Sequence, residues 1–208
     1  MNEQLVQQFA QLLNQFGIQL NANGLPYPVP IHPNLVHLTL GLFIIAVLFD
    51  IAGTLFPLEK PILKVLSIPT LRGSFYDVGW YNLVAAIAIT FFTVTAGFFE
   101  LLLANPPTNV KSDWGLGAGT TMILHGVGGV LLLATMVGMG VWRGFQRYRW
   151  RKEKPRQVQW SYLAVGVFML GLLYLHGTLG AHLGGDFGIH NAAANLLRQG
   201  EDPNLLLK

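Results

Sequence analysis

Histidine is the side chain in this sequence best suited to chemistry. Five of the six histidines, His32, His37, His125, His176 and His182, stand near those ends of apolar segments that point to one side once the chain is threaded through a bilayer. Neutral imidazole ligates haem iron, zinc and copper, carries protons near neutral pH, and is oriented by whatever its second nitrogen bonds. Glu100, at the same end of the second apolar segment, is placed to act as such a partner. Two histidines facing each other across a bundle core make a bis-imidazole haem b site. His125 and His176, the deepest and on different segments, are the leading axial pair, with His37 or His182 as substitutes. A non-haem iron, copper or zinc site built from His37, His125, His176 and Glu100 draws on the same residues.

Glycine follows both deep histidines, in His125-Gly126-Val127-Gly128-Gly129 and His176-Gly177-Thr178-Leu179-Gly180. Such residues let a backbone or a flat ligand approach, and they also serve ordinary helix packing in membranes. His176 and His182 lie about 120° apart on a helix, so they share a metal only if the helix ends between them, which Gly180, Gly184 and Gly185 permit. The plainer reading of the same pattern is a set of histidines that hydrogen-bond, anchor at the headgroup level or relay protons. Asp186 and His190 follow in the chain. Asp50, deep in the first segment, is a second relay candidate beside Glu100, or a structural acid bonded to Asn82 or Tyr81.

Other chemistries find no residues. The chain has no cysteine, which removes disulfides, thiolate metal sites and cysteine nucleophiles. Its few serines sit in no nucleophile-elbow setting, and no glycine-rich phosphate loop follows a strand.

The elements that must position the histidines are membrane helices. Hydrophobic residues make up 52% of the chain and charged ones 11%, against about 25% charged in a typical soluble domain. Four apolar stretches, Leu35 to Phe56, Val78 to Leu103, Thr120 to Trp142 and Gln159 to Gly180, each reach the roughly 20 residues that a helix needs to cross a hydrocarbon core. Runs such as Leu40 to Phe49 are apolar on every face and lack the alternation of a barrel strand. The expectation is an all-α polytopic membrane protein, a four-transmembrane-helix bundle over residues 31–190.

Basic residues orient it. The link 143–156 holds more than half of the 13 Lys and Arg, which places it in the cytoplasm and both termini outside. Insertion physics already accounts for that run, so nucleic acid is not an expected partner; the lipid bilayer is. Residues 1–30 lack the basic start of a signal peptide. Leu5, Phe9, Leu12, Leu13, Phe16 and Leu20 instead form an apolar stripe among glutamines, an amphipathic surface helix that rests on lipid or a partner subunit. A proline-rich linker, Asn23 to Pro30, joins it to the bundle. A brief interfacial helix is expected within Leu58 to Ser67, and residues 191–208 form an exposed tail.

His32-Pro33-Asn34-Leu35-Val36-His37, the ending Ala96-Gly97-Phe98-Phe99-Glu100, the mid-membrane His125, and Leu179-Gly180-Ala181-His182-Leu183-Gly184-Gly185 together resemble a bacterial family of predicted four-helix membrane proteins, catalogued as a domain of unknown function. The likeness spans roughly His32 to His190. Where many members carry Phe-Pro after the second histidine this chain has Leu38-Thr39, and where the second helix often ends on Asp it has Glu100. The resemblance implies an integral protein of a bacterial cytoplasmic or internal membrane, with recurrent histidines tied to haem or to respiratory components. Three functions are open: a haem b electron-transfer subunit, a non-catalytic accessory subunit of a respiratory-type membrane complex, and a small proton or ion transporter. The last has least support, because Val130 to Met139 and Leu163 to Gly171 offer only Thr135 as a polar side chain.

Overall fold

The computed structural model describes residues 31–56, 60–65, 72–103, 109–150 and 157–189, together with Gln8, Gln11 and Leu12. Those three apart, the expected N-terminal surface helix and linker lie outside the described residues, as do residues 151–156, the tail 191–208 and His190. Five helices follow in order: α1 His32–Leu55, α2 Lys60–Val65, α3 Arg72–Leu103, α4 Ala118–Phe145 and α5 Trp160–Gly185, with a π-helical turn, Gln146–Trp150, continuing α4. α1, α3, α4 and α5 are each long and apolar enough to cross a membrane. The chain is an all-α, four-helix membrane protein, and α2 is the brief helix expected between the first two spans.

The helix ends differ from the sequence expectation for physical reasons. α1 starts at His32 rather than Leu35 because Pro33 suits a first helical turn, where its missing N–H costs nothing. The free N–H of His32 donates to Glu100 Oε1 at 3.1 Å, a carboxylate at the positive end of the helix. α3 starts at Arg72 rather than Val78. The Arg72 guanidinium donates from Nε to Gly53 O at 2.8 Å and from Nη2 to Thr54 O at 3.3 Å, satisfying carbonyls at the end of α1. α5 runs through Gly180 to Gly185, so the helix break that those glycines permit does not occur before His182.

The chain divides into two compact units: one of Met1–Asn34, Thr93–Gly129 and Leu175–Lys208, the other of Leu35–Phe92 and Val130–Tyr174. Each long helix contributes to both. In the second unit Phe43, Ala46, Leu83, Met136, Met139 and Met169 form an apolar core. Thr90 is buried there, and its hydroxyl turns back on its own helix to Ala86 O at 2.6 Å.

The same unit contains a buried ion pair. Arg143 Nη2 donates to Asp50 Oδ1 at 2.8 Å, with the two side chains 0% and 2% exposed. The guanidinium also lies near the rings of Tyr76 and Tyr162, at 5.6 and 5.8 Å from their centroids. This corrects the expectation of a bond from Asp50 to Asn82 or Tyr81: the Asn82 amide donates to Val78 O within its own helix. A carboxylate in an apolar interior needs a cation or a proton. The basic link supplies the cation from its first residue, because α4 carries Arg143 into the protein instead of ending at Trp142.

Candidate functional site

The first unit holds the histidines that come together. His32, on the first turn of α1, is buried, and its ring Nδ1 donates to Thr93 O on α3 at 2.8 Å. His125 of α4 is buried and lies edge-on to His32, with centroids 5.9 Å apart and rings at 89°. His176 of α5 stacks flat on His125, with centroids 4.1 Å apart and rings at 15°. The Nε2 of His176 donates to the main-chain oxygen of His125 at 2.8 Å. Carbonyl oxygens only accept, so both bonds fix tautomers: the proton sits on Nδ1 of neutral His32 and on Nε2 of neutral His176.

Glycines of the facing helices make this arrangement possible. A Cβ at Gly97 would stand 2.8 Å from the His32 ring, one at Gly128 2.9 Å from the His176 ring, and one at Gly180 3.0 Å from the His125 ring. α4 and α5 pack antiparallel here, and each offers a histidine with a glycine one turn further on. His125 therefore lies on Gly180 while His176 lies on Gly128. The residues directly after the histidines take no part: Gly126 faces Phe98 and Leu101, and Gly177 faces open space. The flat group that the glycines admit is imidazole itself.

The remaining candidates take no part in the ring stack. His37 is exposed on the part of α1 that belongs to the second unit. His182 stays on the helix and turns away from the stack, with its Nδ1 2.7 Å from Asp186 Oδ2 and its ring 4.9 Å from that of Trp114. Trp114 sits in the loop before α4, which is closed by a bridge between Lys111 and Gly117. Glu100 is buried and caps α1. His32, one of the five histidines at the same helix ends but not among the candidate ligands, joins this cluster; Gly97, quoted beside Glu100, was the signal for it.

This geometry bears on the cofactors. A bis-imidazole haem needs two nitrogens pointing at each other through the macrocycle. Here the imidazole faces touch, leaving no gap for a porphyrin, and the His176 Nε2 is bonded to a backbone carbonyl, so the residues as arranged do not fit haem. Among the described residues, no three His, Asp or Glu side chains stand close enough together to hold a metal ion.

A family model described as Predicted membrane protein (DUF2231) matches residues 28–193. The chain belongs to this family. The matched segment contains the whole imidazole cluster, its glycines and Glu100, as well as the Asp50–Arg143 pair. No curated protein and no solved structure matches the chain.

Proposed function

We propose that this chain is an integral membrane subunit that takes up and releases one proton at the His32–His125–His176 cluster, without haem. The observation that carries this reading is the stack of His125 on His176 at 4.1 Å. Two imidazolium ions at that separation repel by about 4 kcal/mol at an effective dielectric constant of about 20. One imidazolium against a neutral ring avoids that repulsion, so the pair accepts a single charge. The bond from Nε2 to the carbonyl leaves Nδ1 as the basic nitrogen of His176, and the half-buried state of His176 gives that atom a route to exchange.

The bias of basic residues toward the link 143–156 supports an outward-facing cluster and a cytoplasmic π-helical turn. Among the described residues, the buried polar side chains of the second unit are Thr39, Thr90, the Asp50–Arg143 pair and Gln146, and this sparse set favours exchange at one face over transport across the membrane. One-sided proton exchange suits an accessory subunit of a larger membrane complex. The uncharged glutamine face of residues 4–15 is a sequence feature in keeping with a protein partner.

Proton uptake by the protein in lipid nanodiscs, followed with a pH dye from about pH 8 to about pH 5, where imidazole titrates, tests the reading. Wild type is expected to bind about one proton more than the double variant His125→Asn, His176→Asn, a difference set by the single charge that the stack admits. Equal uptake would overturn it. A visible spectrum of the same sample with haem bands near one per chain would do so as well.

A further inference from the structure

The second unit carries two adjoining cavities that belong to neither the imidazole cluster nor the ion pair. The first, about 300 Å³, is lined by Thr54, Arg72, Tyr76, Gln157, Gln159 and Trp160 among others. The second, about 530 Å³, is an apolar groove between Ile51 and Leu55 of α1 and Leu163, Ala164, Val167 and Phe168 of α5. Trp160 lines both, so they meet at its indole. Both volumes fall within the range of small-molecule sites, about 300–1,000 Å³.

We infer that this pair of cavities is a binding site for one anionic phospholipid, with its phosphate head in the Arg72 cavity and an acyl chain in the groove. The polar cavity offers a guanidinium and the amides of two glutamines, and no carboxylate is among the lining residues of either cavity. Arg72 uses Nε and one Nη2 hydrogen to cap α1, which holds the planar fork in place and leaves further N–H groups for a phosphate. Tyr76 Oη lies 3.3 Å from Thr54 Oγ1, whose own proton goes to Asp50 O at 2.8 Å, so these hydroxyls bond within the protein and leave a phosphate to Arg72 and the glutamines. A zwitterionic head would bring a second cation into a cavity that already holds the Arg72 guanidinium and no carboxylate. A free phosphate would leave the groove unfilled.

The site also lies at the proper depth. Arg72 and Trp160 open their helices, and Trp160 is 69% exposed, as expected for an indole at the headgroup layer. The π-helical turn of the same unit adds the exposed Arg149, a cation of the kind that attracts anionic lipid to a membrane surface, while Arg147 is paired with Asp77 at 2.6 Å.

Native mass spectrometry of the full chain, purified in detergent and offered equal amounts of phosphatidylglycerol and phosphatidylcholine, tests the proposal. Wild type is expected to retain one phosphatidylglycerol with about tenfold preference, since phosphatidylcholine brings its ammonium beside Arg72. Arg72→Gln should abolish the preference. Ala164→Trp, which fills the groove from an exposed position and leaves Arg72 untouched, should lower retention of both lipids, and it carries the test alone if Arg72→Gln fails to fold. Equal retention of the two lipids by wild type, or unchanged retention in Ala164→Trp, would overturn the site. Displacement of phosphatidylglycerol by inorganic phosphate alone would show that the cavity takes a free anion, and would overturn the lipid assignment.

Discussion

Gly128→Ala and Gly138→Ala are the same substitution on the same helix, and the structure predicts opposite signs for them. An alanine methyl at position 128 would meet the Cδ2 of His176 at 2.9 Å, whereas position 138 has nothing within 4 Å of its Cβ. The imidazole cannot step aside cheaply, because it is held between the His125 ring and the His125 carbonyl. Overpacking costs about 1–3 kcal/mol. Losing the interhelical hydrogen bond adds about 1 kcal/mol, and replacing glycine in a helix interior returns about 1 kcal/mol. Gly128→Ala should therefore lose about 1–3 kcal/mol, while Gly138→Ala gains up to about 1 kcal/mol from helix propensity. Unfolding in mixed micelles, followed by helical circular dichroism against the mole fraction of denaturing detergent, measures both on one scale. If Gly128→Ala proves as stable as Gly138→Ala, glycine is not there to seat the imidazole.

Gly97→Ala and Gly180→Ala should also destabilise, since each methyl meets a histidine ring at 2.8 and 3.0 Å, while Gly177→Ala, which faces open space, should be neutral or better in the same unfolding assay. Asp50→Asn strands the fully buried Arg143 and should cost about 3–5 kcal/mol, whereas Asp50→Leu combined with Arg143→Met should recover most of that loss. Vesicles loaded with a pH dye and reconstituted with wild-type protein should hold an imposed pH gradient as long as empty vesicles do; a leak abolished by His125→Gln would favour transport instead. His176→Phe keeps a flat ring and removes the bond to the His125 carbonyl, so it should lose about 1 kcal/mol of stability in the same unfolding assay.

Much of this architecture was legible in the sequence, because a membrane span is a matter of length and apolarity, and all four stretches exceed what the hydrocarbon core demands. The ends were harder to read. Pro33 and Arg72 belong to helices through bonds made by Glu100 and to Gly53 and Thr54, partners distant in sequence. Gly180 resembles a helix terminus, yet it lies in the helix interior, where the His125 ring packs on it. That single point keeps His182 on α5 and turned toward Asp186 and Trp114. His125 and His176 do come together, but spacing along a helix cannot tell edge-on nitrogens from stacked faces. Arg143 escaped notice because a cation at the head of a basic link reads as solvated until its partner, Asp50, is known.

Isotope-labelled histidine NMR of the protein in nanodiscs, recorded from about pH 8 to about pH 5, tests the central claim most directly, since ring-nitrogen shifts report tautomer and charge together. The account predicts His176 protonated on Nε2 at high pH, and one charge between His125 and His176 as the pH falls. Two imidazolium rings at the lower end of that range, or ring shifts marking iron-bound nitrogens, would contradict it.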